Sequence, residues 1–428
     1  MILLIALWLT LLVALIVFAI GKPGEGGGLT LAYFLGLSLI HLPGAYVYLD
    51  SSILLPSQAE TESGFLLTVS GLAAFTIGAI LVRLTDKEQI VEDNINADDS
   101  QKLNQFGLRL IAIGAVSYFV ILPFASYFSS LTAVVGGFGA LLLLGIWVRF
   151  YVAVNARSWR QMSGLIAALP ALPLSTLVTG GFIGYGIYWI ISVGCFLFAI
   201  VRRRLIIVVA SPFIAYLGLS LFVGYMAERN AIRDLVWSDE STFGERADRV
   251  FRIFSNFEFL NIGNEQHVVA IDGRLNQNVF VGLAINRHRD GILDFQYGGT
   301  VQIWALVPRA LWPEKPEIGG GGTLVSELTG LEFGVGTSVG VGQVLEFYAN
   351  FGWFGIVFGF GGLGALLLNL DRGIMRALVA RDFRGFLFRG MPGLVLLQPG
   401  GNLLEIMVAV VAAIVGAQIV TTYEKLYT

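Results

Sequence analysis

The chain has 428 residues, of which 56% are hydrophobic and only 13% charged, and its mean hydropathy is +0.75. Those values exclude a soluble globular protein and describe a polytopic membrane protein. The formal net charge of -3 gives no sign of nucleic-acid binding, and the single cysteine, Cys195, excludes a disulfide within the chain.

Apolar runs near the length that crosses a hydrocarbon core fall at 2–20, 29–49, 64–82, 106–124, 131–149, 164–178, 182–201, 205–225, 343–368, 386–398 and 403–421. These are eleven candidate spans. The sixth and tenth are short, and Pro170, Pro173, Pro392 and Pro399 predict kinked or tilted helices there. The first run lacks a positively charged leader and a clear small-residue cleavage site, so it reads as a retained span rather than a signal peptide. The short connections 50–63, 125–130, 179–181 and 399–405 contain no Lys or Arg, whereas the alternate ones carry clusters such as Arg202, Arg203 and Arg204. By the positive-inside rule the amino terminus is then outside, and so is the long segment between the eighth and ninth spans. The expected fold is an all-α polytopic one with about eleven spans: 1–225 holds eight, 226–342 is a large helical extracytoplasmic segment, and 343–428 holds three.

That outer segment, Ala227 to Gly342, has nine Arg and Lys315 against fifteen acidic residues. Any anion recognition there comes from individually placed arginines rather than from bulk charge. In "GERADRVFRIFSNFEFL" the apolar Val250, Phe251, Phe254 and Phe257 recur at helical spacing. Arg246, Arg249 and Arg252 become the polar side of an amphipathic helix at the membrane surface. Two stretches resist so plain an account. In "DGRLNQNVFVGLAI", Arg274 stands just before a helix-like run. In "WALVPRALWPEKPEIGGGG", Pro308 and Pro313 stiffen the backbone around Arg309 and restrict the directions its side chain can take. Trp304 and Trp312 are equally suited to anchoring at the interface, with Arg309 and Lys315 meeting lipid headgroups.

The glycine-rich stretch Gly319 to Ser338 links this motif to the ninth span and suits a mobile lid or a plain linker. The ninth span opens with "GQVLEFYANFGWFGIVFGFGGLG", in which Glu346, Tyr348 and Asn350 enter an apolar run. An ionisable group there is expensive unless it faces a cavity or a partner. The glycines permit close helix packing.

Taken in order, "GRLN", "FQYGGT", "VPRALWPEKP" and "LEFYANFGWFG" resemble the bacterial oligosaccharide repeat-unit polymerases, the O-antigen polymerase family. The resemblance covers about 270–360. It implies a membrane-embedded, GT-C-like glycosyltransferase fold in a bacterial plasma membrane, with the active cavity facing the periplasm or cell exterior. It implies transfer of glycan from a polyprenyl (undecaprenyl) diphosphate-linked oligosaccharide donor to a second lipid-linked unit, the acceptor. It assigns Arg309, Arg274 and Glu346 to catalysis and Lys315, Trp312, Tyr348, Asn350, His288 and Gly298 to substrate binding. Membrane lipids, a chain-length regulator and a flippase are the other implied partners.

Guanidinium groups suit a leaving diphosphate because their planar fork makes bidentate hydrogen bonds. Glu346, His267 and His288 are candidate bases for an acceptor hydroxyl. The outer segment has no Asp-x-Asp pair to hold a divalent ion, so the scheme calls for neither metal nor cofactor. A ligase that transfers finished glycan shares this donor, and a lipid-linked sugar transporter or flippase is the competitor from another class; the latter usually shows two matching halves, which the lopsided motif distribution lacks.

Overall fold

The computed structural model describes residues 1–49, 55–86, 88, 96–122, 129–180, 183–237, 242–255, 257–301, 307, 312, 314, 321–333 and 339–424. Among them all regular structure is helical. In chain order the helices are α1 (Ile2–Ala14, continued by a π-helical turn Leu15–Ile20), α2 (Leu29–Val47), α3 (Gln58–Thr85), α4 (Ala97–Val116, with a π-helical turn Ser117–Ile121) and α5 (Ser129–Asn155). There follow α6 (Trp159–Ala168), α7 (Ala171–Gly180), α8 (Gly184–Ile200) and α9 (Arg204–Trp237). Four helices occupy the long segment: α10 (Phe243–Ser255), α11 (Glu265–Asp272), α12 (Asn278–Arg289) and α13 (Gly321–Thr329). The chain ends with α14 (Gln343–Phe354), α15 (Phe360–Val379, joined to α14 by the π-helical Gly355–Gly359), α16 (Phe383–Val395) and α17 (Leu403–Glu424).

Each of the eleven apolar runs overlaps one of these helices or a consecutive pair; residues 123, 124 and 182 of those runs lie outside the described residues. Among the described residues, nine stretches are long and apolar enough to cross a membrane; Gly186–Ile200 is a shorter apolar helix and α16 has only 13 residues. Of the eleven expected spans, nine therefore correspond to stretches of full length among the described residues. The tenth run is short because the chain leaves helical geometry after Val395. Its next residues are held by backbone hydrogen bonds, with Gly342 N donating to Gly400 O (3.1 Å) and Gln343 N to Pro399 O (2.9 Å). Non-helical backbone at membrane depth is tolerated only where protein buries and pairs it, and Leu397 and Pro399 are buried here. The sixth run divides at Pro170 into α6 and α7, as the prolines predicted.

The arginine-rich connections meet at one end of the bundle. Arg83 pairs with Glu25 (2.5 Å), Arg204 Nε donates to Phe198 O (2.9 Å), and Arg381 lies 3.5 Å from Asp99. Arg372, only 2% exposed, donates through Nε to Asp86 (2.7 Å) and through a second nitrogen to Glu88 O. Beside it, the buried Asp371 carboxylate accepts from Leu29 N (3.0 Å) and so caps α2. At the opposite, distal end Tyr48 donates to Asp272 (3.3 Å) and Asn276 to Thr61 (2.9 Å). Residues 257–301 and 339–346 therefore pack where the K/R-free connections are. Between the two ends α3 and α15 pack backbone against backbone; a Cβ on Gly364 would come within 2.0 Å of Phe75 O.

The sidedness gives a direct prediction. In a chain whose buried Cys195 has been replaced by serine, cysteines at Ser57 and Ser326 are expected to react with an impermeant thiol reagent added to intact cells, and one at Ser100 is not. Labelling of position 100 alone would invert the arrangement.

Candidate functional site

Helix α9 has 34 residues, a length of about 51 Å, where about 20 residues suffice to cross the hydrocarbon core. Its last turns therefore project past the apolar layer at the distal end, and the boundary expected at 225 falls inside a continuous helix. Tyr225, Arg229 and Arg233 recur every fourth residue along this overhang and so form one stripe. The stripe faces inward, with exposures of 4%, 9% and 7%. Beneath it Phe222, Val223 and Ile232 pack with Val268, Ile271 and Leu275 in a small satellite core, which clamps α11 against α9.

Arg274, on the turn after α11, joins the stripe. Its electrostatic neighbours are Arg229, Arg233 and Tyr225. The Tyr225 hydroxyl accepts a hydrogen bond from Arg229. Burial, and then the charges of Arg229 and Arg233, push the Arg274 guanidinium below its ordinary pKa, although arginine stays charged at neutral pH. Among the described residues neither Arg229 nor Arg274 has a carboxylate partner; besides Tyr225, Arg229 makes a long bond to Asn230 (3.4 Å). The adjacent Glu228 instead pairs with Arg249 of α10 (2.5 Å). Like charges one turn apart are destabilising even on an exposed helix, by roughly 0.2–0.5 kcal/mol, and burial raises that cost. A cluster of this kind is suited to a polyvalent anion.

The turn bearing Arg274 is fixed by its neighbours in "GRLNQN". Asn276 and Asn278 are buried between α2 and α3. Asn276 Nδ2 donates to Thr61 Oγ1 and to Asp272 Oδ1 (2.7 Å), and Asn278 Nδ2 donates to the His41 carbonyl (2.7 Å). Asn278 Oδ1 also meets His41 Nδ1 at 2.8 Å and accepts from Thr68. The asparagines fit only because two helices present glycine to them. A Cβ on Gly44 would come within 2.2 Å of Asn276, and one on Gly64 within 2.0 Å of the Asn278 carbonyl.

A second group gathers around the start of α14. Glu346 is fully buried, and its Oε2 accepts from Leu403 N (2.6 Å) at the amino terminus of α17. The Thr300 hydroxyl bears on the same carboxylate. α14 breaks at Phe351 and Gly352, where Gly352 has φ +58. The break frees two carbonyls from helical bonding, and the loop before Val301 takes them up: Gln296 N donates to Ala349 O (2.9 Å) and Tyr297 N to Asn350 O (3.1 Å). Asn350 adds its side chain, accepting from Gly298 N (2.7 Å) and donating to Thr300 and to Glu346 O. His288 stacks on Phe295 (4.4 Å between centroids) and meets the edge of Tyr348 (5.4 Å). Burial lowers the His288 pKa, against the opposing effect of the Leu293 backbone and Asp294, and so favours the neutral ring.

The structure thus brings Glu346, Tyr348, Asn350, His288 and Gly298 together, and it places Arg274 apart from them. Arg274 precedes α12 and His288 lies in its last turn, with about 15 Å of helical rise between Asn278 and His288. Trp312 is 40% exposed. Arg309 and Lys315, with Pro308, Pro313 and Pro316, lie outside the described residues. Of the stretch expected to be a lid or linker, 321–329 forms α13, with Val325 and Leu328 buried; 319, 320 and 334–338 lie outside the described residues. The amphipathic helix expected around Arg246–Arg252 is α10, and its Arg249 is ion-paired to α9 rather than merely solvated. Among candidate bases, Glu346 is engaged by Leu403, and His267 Nδ1 accepts from Asn261 N (3.1 Å). His288 Nε2 has no hydrogen-bond partner among the described residues. No group of three or more potential metal ligands occurs among the described residues.

No protein-family model matches the chain, and no curated protein and no solved structure matches it either.

The sequence reading missed Arg229 and Arg233. A signal existed: "YMAERNAIR" continues a tyrosine and two arginines at helical spacing directly beyond the eighth apolar run. What the sequence could not show is that this stripe turns inward onto Arg274.

Proposed function

We propose that this protein is a glycosyltransferase that joins polyprenyl diphosphate-linked oligosaccharide units at the distal face of the membrane, with Arg229, Arg233 and Arg274 holding the diphosphate of the donor. The observation that carries the reading is the convergence of three guanidinium groups, without a carboxylate on Arg229 or Arg274, at the end of the long helix α9. A membrane-anchored diphosphate offers the charge and the height that such a site requires. The acceptor hydroxyl oxygen attacks the anomeric carbon, the bond from that carbon to the phosphate oxygen breaks, and its electron pair leaves with the diphosphate. The hydroxyl proton passes to a base or to water. Charge grows on the leaving oxygen during this step, and fixed guanidinium donors stabilise it where it grows.

The lipid tail needs apolar surroundings below the site. α9 supplies them, because Leu205, Ile206, Val209, Phe213 and Ile214 are exposed on the part of the helix that lies within the apolar layer. By the family resemblance Arg309 and Lys315 belong to the same phosphate site. Glu346 and Asn350 act in this reading as positioning residues, since their polar atoms hold the 296–300 turn and the head of α17. Incubating purified protein with a single lipid-linked repeat unit separates this reading from its competitors. A ladder of products is expected. One transfer product only would make it a ligase-type transferase, and unmodified lipid moved across a bilayer would make it a flippase.

A further inference from the structure

We infer that Tyr297 is a stacking platform for a sugar ring of the lipid-linked glycan, several rings removed from the diphosphate; the inference rests on the glycosyltransferase reading and deepens it. Tyr297 is one of three non-glycine residues with positive φ (+45°) among the described residues. That conformation is costly for a bulky side chain and persists only when its surroundings impose it, a condition typical of functional sites. Here three hydrogen bonds impose it. Gln296 N and Tyr297 N donate to the two carbonyls freed by the break in α14, and Gly298 N donates to Asn350 Oδ1.

The strain displays the ring instead of burying it. Tyr297 is 74% exposed, although Phe295 and Phe351 meet it edge-on at 6.3 and 6.2 Å. Those contacts leave most of the ring surface exposed. A Cβ on Gly298 would touch nothing within 4 Å, so the space beside the ring is also open. One face of a pyranose is a patch of C–H bonds that packs flat on an aromatic ring, and its rim of hydroxyls seeks hydrogen-bonding groups. His288 Nε2, on the ring stacked against Phe295, has no partner among the described residues, so it can take part in one such bond. A tyrosine that merely anchors at the headgroup layer needs no left-handed backbone and no strap of three bonds. The separation of this group from Arg274, which includes about 15 Å of helical rise along α12, matches a glycan running outward from a diphosphate rather than a second phosphate site.

The test uses the whole protein in its native membrane. With Tyr297→p-benzoylphenylalanine, irradiation is expected to give an adduct that carries carbohydrate and sheds a polyprenyl chain on mild acid treatment. An adduct with phospholipid only would make Tyr297 an interfacial anchor and overturn the proposal, as would no adduct. A second variant guards against misfolding. Tyr297→Asn suits positive φ, so its thermal stability should equal or exceed that of the parent. Its KM for the lipid-linked unit should rise about tenfold, in line with the loss of one aromatic contact, with kcat little changed. Tyr297→Phe should keep the parental KM. An unchanged KM in Tyr297→Asn would overturn the platform. The two proposals fail separately: carbohydrate adducts without a ladder would retain the sugar site and remove the polymerase, and a ladder without carbohydrate adducts would do the reverse.

Discussion

Arg229→Lys and Arg274→Lys are each expected to lower turnover by about 100-fold, while Arg249→Lys stays within about twofold of the parent. Lysine keeps the charge and loses the planar fork, so a site that needs only positive potential would tolerate the change and a bidentate phosphate clamp would not. Arg249 is the matched control because it lies on α10 beside the same helix and pairs with Glu228 in a partly exposed ion pair. A lysine can make that pair equally well. Equal tolerance at all three positions would remove the phosphate clamp from the account. Arg274→Lys also separates geometry from folding, because the turn is held by Asn276 and Asn278 and not by the guanidinium itself.

Glu346→Leu is expected to destabilise the protein by about 2–3 kcal/mol, read as a lower midpoint of thermal unfolding in detergent. The leucine would leave Leu403 N without its acceptor in a part-buried setting, and a carboxylate facing the start of α17 would be lost. Glu346→Gln retains an oxygen for Leu403 N and should lose distinctly less stability. The same pair of variants distinguishes a positioning role from base catalysis. If Glu346 only holds the 403 turn, glutamine preserves most turnover; if it removes the acceptor proton, glutamine abolishes turnover at nearly unchanged stability.

Much of the architecture was legible because hydropathy and arginine placement are local properties. The eleven runs landed on helices, the connections bearing Arg83, Arg204, Arg372 and Arg381 met at one end, and Gly342 marked the start of α14. The "GRLN" and "FQYGGT" stretches form turns held by side-chain hydrogen bonds. The parts that were not legible depend on contacts between distant segments. Arg229 and Arg274 meet because α9 overshoots the apolar layer and a satellite core pins α11 to it. Neither condition is visible in a window of sequence. Glu346 finds its partner 57 residues away in a backbone N–H, a donor that no side-chain pattern reveals. The break in α14 was hidden among many glycines suited to helix packing, of which only Gly352 combines positive φ with a missing helical turn.

The central claim is that Arg229 and Arg233 at the distal end of α9, together with Arg274 on the turn after α11, hold a diphosphate. The direct measurement is binding of polyprenyl diphosphate and polyprenyl monophosphate, with no sugar attached, to the purified protein in lipid nanodiscs. The account predicts that the diphosphate binds at least about tenfold more tightly, and that Arg229→Ala and Arg274→Ala each erase the difference while Arg249→Ala does not. Equal affinity for the two lipids, or a preference untouched by Arg229→Ala and Arg274→Ala, would contradict it.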